Sequence, residues 1–234
     1  MRLTRSPADR EITRLEGFSD AVFGFALTLL VVSLEVPKTE GELLQTMRGF
    51  GAFAVCFAIV GWIWYEHNLF FRRYGLQDGW TILLNFLLLF VVVFYVYPLK
   101  FIATTLLGGL FGGASSRGST SFGSGAGLML IYSVALLVLF LVFALLYWHA
   151  LRHRAELELD ALGVFDATTH VWRHLLTVAI AATSVLLVLT VPTRVHWAGL
   201  IYFLIGPVHA GFGFLRGAQR GRLAARLSAS ATAA

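Results

Sequence analysis

The chain has 234 residues, of which 58% are hydrophobic and only 13% charged, about half the charged share of a soluble domain. That much apolar surface exceeds what one water-soluble core of this size can hide, and it excludes a disordered chain. The excess of 18 Lys and Arg over 13 Asp and Glu would suit nucleic acid in a soluble protein; in a membrane protein it marks loops on the inner side, and no nucleic-acid partner is expected.

In chain order, the N-terminal tail carries Arg2, Arg5, Arg10 and Arg14 ahead of an apolar stretch, as a signal peptide does. Asp20 opens that stretch, however, and no small-x-small cleavage site follows, so an uncleaved first span is expected. A spanning helix needs about 20 mostly apolar residues. Six segments qualify: Gly17–Leu34, Arg48–Tyr65, Trp80–Tyr97, Gly127–Leu151, His170–Val191 and Val195–Leu215. A β-barrel is excluded because runs such as Leu87 to Val93 show no apolar/polar alternation. The expected fold is therefore an all-α membrane protein with six transmembrane helices per subunit. Residues 1–216 form one six-span domain, and residues 217–234 form a flexible Ala/Ser-rich C-terminal tail.

The Gly- and Ser-rich stretch Leu107–Ala126 reads as a flexible connector. It lacks the Thr-Val-Gly-Tyr-Gly type of potassium filter. The lone Cys56 sits in an apolar run, which excludes an intramolecular disulfide and a Cys-based metal site. The last three spans do not repeat the first three, so the inverted halves of many transporters are not expected.

Thirteen of the eighteen basic residues fall on one side of this six-span arrangement: the N-terminal tail, the loops after the second and fourth spans, and the C-terminal tail. Positive-inside then puts both termini in the cytoplasm, and an even number of spans independently requires both on one side. A single six-span unit suits a prokaryotic plasma membrane.

The first span carries the sharpest local signal. Asp20 lies near its inner end, where an acid is costly unless paired or wetted. Arg14 is six residues away, about 240° around a helix, so the two do not face each other and a partner on another span is required. His67, at the end of the second span on the same side, is the candidate. Phe18, Ala21, Phe25, Leu29 and Val32 fall on one helical stripe with Thr28 at its edge. An apolar stripe by itself implies only packing against a neighbour.

The pattern Arg14-x-x-x-Phe18-Ser19-Asp20 at the entrance of the first span resembles the signature of the lysosomal potassium-channel family, transmembrane protein 175, and its bacterial relatives. Trp64-Tyr65-Glu66-His67 resembles the family's Trp-x-x-His segment. Asn85-Phe86-Leu87-Leu88, with Pro98 beyond it, resembles the family's Asn-Leu-Leu run and following proline. The resemblance covers about the first hundred residues; beyond them only span number and hydropathy match. It implies a homotetrameric cation channel that favours potassium and passes other monovalent cations. The first span would line the pore through Phe25, Thr28, Leu29 and Val32, and apolar rings would gate and select. The motif residues Arg14, Phe18, Ser19 and Asp20 would anchor the inner mouth with Trp64, His67 and Asn85 as partners. Family members carry Ile or Leu five residues after the motif aspartate; here that position is Phe25, a departure that bears on the tightness of the gate.

Two other readings have residues behind them. His149 and His153, and His170 and His174, are spaced i, i+4 near the ends of spans four and five, where each pair shares a helix face. Four imidazoles suit a metal or haem, but the adjacent Arg152, Arg154 and Arg173 favour interfacial histidines among lipid headgroups, so no metal or cofactor is expected. A proton- or metal-linked membrane transporter is the alternative function. It needs polar residues near the bilayer midplane, where Asn85, Thr183 and Ser184 are the weak candidates. No enzymatic motif is present, and an enzyme is not expected.

Overall fold

The computed structural model describes residues 12–32, 38–111 and 125–232, and every regular element among them is helical. The helices are α1 (Arg14–Val32), α2 (Glu40–Tyr74), α3 (Gly79–Phe111), α4 (Gly125–Arg152), α5 (Ala161–Thr190), α6 (Val195–Leu200) and α7 (Ile205–Thr232). Short 3₁₀ turns, Pro192–Arg194 and Ile201–Leu204, flank α6. Six helical stretches are long and apolar enough to cross a membrane, the sixth running from Val195 to Ser230 through the 3₁₀ turn.

Local chemistry sets the helix ends. Thr13 and Glu16 form a reciprocal capping box: the Glu16 amide donates to the Thr13 hydroxyl at 3.2 Å, and the Thr13 amide donates to the Glu16 carboxylate at 2.8 Å. Thr39 caps α2 by accepting from the Glu42 amide. At the far end Gly75 takes the left-handed conformation, φ 59°, and its amide returns to the Phe71 carbonyl. Asp160 caps α5, accepting from the Gly163 amide at 2.6 Å.

The helices extend beyond several expected spans. α5 starts at Ala161, nine residues before the expected His170, because the Asp160 cap lies upstream of turns carrying Asp166, Thr168 and Thr169, polar residues that hydropathy passes over. α3 continues through Pro98 to Phe111, so Leu107–Phe111 is helix rather than connector. One missing N–H is tolerated in a membrane helix whose packing resumes beyond it, with Leu99 and Ala103 buried. α7 runs to Thr232, where a tail from 217 was expected. Its Ala, Arg and Leu residues are strong helix formers whatever their hydropathy.

The chain divides into two compact units, Met1–Leu128 and Met129–Ala234. In the first, α1, α2 and α3 all pack on one another. Their core holds Phe23, Leu30, Cys56, Ile63, Phe70 and Leu88, each at most 1% exposed. In the second, α5 is the central helix, touching α6 and α7. It meets α4 through the Ser133 and Ser184 hydroxyls, 2.9 Å apart, and through His170, which stacks on Tyr147 at 4.6 Å and 3°.

Candidate functional site

α1 presents two faces of opposite character. Ser19, Phe23, Ala26 and Leu30 are buried, at the i, i+4, i+7, i+11 spacing of one face, and they lie in the three-helix unit. Phe25 is 60% and Val32 77% exposed. Thr28 is also exposed, while Leu29 is half-buried. The stripe expected to line a pore is thus the side of α1 that its own unit leaves largely uncovered, about 120° from the buried face. Nothing in the sequence distinguished these faces, since both are apolar.

The buried face is tied down by a directed chain of hydrogen bonds. The Ser19 hydroxyl donates to the Leu15 carbonyl at 2.8 Å. It accepts from the Asn85 amide nitrogen at 3.0 Å, and the Asn85 oxygen accepts from His67 Nε2 at 2.7 Å. Because the Asn85 oxygen can only accept, Nε2 carries the proton. Ser19 and Asn85 are fully buried and His67 is 2% exposed. Asn85 of α3 therefore joins Ser19 of α1 to His67 of α2, the kind of pairing that buried polar groups in an apolar unit require. The His67 ring also lies between Phe23, at 5.4 Å, and Phe71, at 4.6 Å.

Asp20 bonds to Trp64, one of the expected motif partners, while His67, the candidate for Asp20 itself, bonds to Asn85. The Asp20 carboxylate accepts from the Trp64 indole nitrogen at 2.7 Å. Neighbouring side chains on a helix diverge by about 100°, so Asp20 turns away from the buried Ser19 side, where His67 sits, towards an exposed side within reach of Trp64. Arg14 is exposed at the first position of α1. Phe18, also exposed, packs its ring against Phe86 of α3 at 5.4 Å. The structure brings Ser19, Asn85 and His67 together in one hydrogen-bonded chain, Asp20 together with Trp64, and Phe18 against Phe86.

In the second unit the histidine pairs remain neighbours. The His149 and His153 rings are 4.3 Å apart, and the His153 Nδ1 donates to the His149 carbonyl. His170 accepts from Arg173 at 3.1 Å, and buried His174 stacks on Phe143 at 5.2 Å. Two polar links of this unit, Ser133 with Ser184 and Thr177 with His209, each at 2.9 Å, were only partly visible in sequence, because His209 lies 32 residues from its partner.

Six apolar helices, with a polar anchor fastening α1 while its other face stays open, define an integral membrane protein of the channel or transporter class. A family model described as endosomal/lysosomal potassium channel TMEM175 matches residues 14–95. A potassium channel of Marivirga tractuosa is 39% identical over 225 residues, 92% of this chain and 91% of that protein. A potassium channel of Streptomyces collinus is 30% identical over 159 residues, 64% of this chain and 71% of that protein. Among solved structures, a variant of the potassium channel MtTMEM175, in complex with a nanobody–MBP fusion, superposes with a TM-score of 0.79 at 38% identity. That match covers 93% of this chain and 98% of the other. A lysosomal potassium-selective channel TMEM175 homolog from Chamaesiphon minutus shares the fold, with a TM-score of 0.55 at 23% identity over 87% and 96% of the two chains. The chain belongs to the TMEM175 family of potassium channels.

Proposed function

We propose that the chain is the subunit of a homotetrameric, potassium-favouring cation channel in which four copies of α1 surround the pore, with both termini in the cytoplasm. The observation that carries this reading is the uncovered side of α1, with Phe25 60% exposed on a helix whose opposite side is locked by Ser19, Asn85 and His67. A second feature of α1 supports close approach of another copy. Gly17, Ala21, Gly24 and Thr28 share a stripe of small residues beside Phe25, and a Cβ at Gly17 or Gly24 would meet nothing within 4 Å in this chain.

With α1 so arranged, four Phe25 rings form the narrowest collar, and Leu29 and Val32 form collars further along. An apolar collar dewets and blocks ions when tight, and passes those that shed water most cheaply when slightly wider. Potassium holds its water less tightly than sodium, so potassium is favoured. The Thr28 hydroxyl donates to the Phe25 carbonyl at 2.7 Å, which directs its lone pairs away from that bond. It supplies one oxygen per subunit next to the collar.

Ion flux from purified protein in liposomes tests the reading. A potassium gradient should drive flux that exceeds sodium flux under the same gradient. Movement of potassium only when coupled to a proton or metal gradient would mark a transporter instead.

A further inference from the structure

At the end of the second unit where α4 stops and α5 begins, two adjoining hollows of about 420 and 770 Å³ share Arg154, Val164 and Thr168, the size range of ligand sites. The first is walled by Trp148, Leu151 and Arg152, the second by Phe165, Arg216 and Leu223. Each therefore has apolar walls with guanidinium groups at its border. The cations are held in place by rings: Arg152 lies 3.9 Å over Trp148 and Arg216 4.2 Å over Phe165. Arg216 is further fixed by donating to the Thr169 hydroxyl at 3.0 Å. Of the nearby acids, Asp160 lines the second hollow but caps α5, and Asp166 is paired with Arg220 at 2.7 Å; Glu156 and Glu158 follow Arg154 in the connection to α5. Arg152 and Arg154 have no carboxylate partner among the described residues. The hollows thus lie where two helices long and apolar enough to cross a membrane meet their polar connection, the place where lipid headgroups would be met.

We propose that this site binds the headgroup of an anionic phospholipid. Arg152, Arg154 and Arg216 would engage the phosphate, and the walls formed by Trp148, Leu151 and Val164 would receive the start of an acyl chain. The pairing of fixed guanidinium groups with apolar walls distinguishes it from a site for a free anion, which would have no use for the walls. Planar guanidinium groups match phosphate oxygens geometrically, and basic pockets at the ends of membrane helices suit anionic headgroups.

Native mass spectrometry of the intact protein, given phosphatidylglycerol and phosphatidylcholine with the same acyl chains in equal amounts, tests the proposal. The protein should retain phosphatidylglycerol preferentially. The double variant Arg152→Gln/Arg154→Gln should weaken that retention about tenfold and leave phosphatidylcholine unchanged. Arg222→Gln/Arg226→Gln, with the same loss of charge outside the hollows, should change it by less than about twofold. If the first double variant does not fold, Trp148→Leu keeps all charges and should still weaken retention about threefold. Equal losses in both double variants would reduce the effect to a general positive field and overturn the site. Displacement by inorganic phosphate would show a free-anion site and overturn the lipid assignment. Absence of any preference in the unaltered protein would overturn both. None of these readings depends on ion flux.

Discussion

Asn85 does the most within the smallest compass. Its amide links His67 of α2 to Ser19 of α1, and all three are buried. Asn85→Ala strands the His67 proton and removes a donor from Ser19, at about 1–3 kcal/mol for each buried group left unmet. Thermal unfolding in detergent should show a clear loss of stability, larger than for Ser19→Ala; an unchanged midpoint would mean that water satisfies these groups. Asp20 separates hydrogen bonding from charge. Its partner is the neutral Trp64 indole, so Asp20→Asn, which keeps an acceptor, should assemble normally on size exclusion, whereas Asp20→Ala and Trp64→Phe should lose assembled protein. Failure of Asp20→Asn alongside a normal Trp64→Phe would show that the carboxylate charge is what matters. The family motif named Ser19, Asp20, Trp64, His67 and Asn85, along with Arg14, which stands exposed outside the bonded group, but the sequence did not give their pairing. Trp64 and Asp20 are 44 residues apart, and which side of α1 each side chain takes is decided only when α2 and α3 pack.

Among the elements, the long apolar helices were the most legible. α4 spans Gly125–Arg152 against the expected Gly127–Leu151, because twenty-odd apolar residues without interruption have few other structures open to them in lipid. Legibility fell where local hydrogen bonding, not hydropathy, sets the boundary. The Asp160 cap starts α5 in a polar stretch, and the sixth span begins as the short α6, passes through a 3₁₀ turn and continues as α7. The polar end of α7 was read as a tail because it is too polar for lipid, a property that says little about whether it is helical. One cap is testable by itself. Gly75 ends α2 with φ 59°, where a Cβ is disfavoured, so Gly75→Ala should lower stability by about 1 kcal/mol. A neutral or stabilising result in denaturant titration would mean that the turn relaxes to another conformation.

At the scale of the whole molecule, the proposed channel depends on orientation and on what surrounds α1. In the proposed topology six crossings would place both termini on one side, and the distribution of arginines favours the cytoplasm as that side. In a Cys56→Ala background, single cysteines at Ser6 and Ser228 should resist a membrane-impermeant thiol reagent in intact cells, and one at Ser119 should react. Ser228 is exposed on α7, and Ser6 and Ser119 lie outside the described residues. Labelling of either terminus without permeabilisation would reverse the orientation.

The arrangement of α1 around a pore is tested most directly by potassium and sodium flux through Phe25→Ala in liposomes. Truncating four rings at once should widen the collar enough to pass hydrated ions, so current should rise and the preference for potassium should fall. Leu30, fully buried, is the internal control: Leu30→Ala should cost about 2–5 kcal/mol of stability and leave selectivity unchanged, and half-buried Leu27 should behave likewise, more mildly. If Phe25→Ala assembles and conducts with unaltered flux and selectivity, while Leu27→Ala or Leu30→Ala abolishes selectivity, α1 turns a different face to the ions. If none of the three changes permeation, α1 does not line the pore.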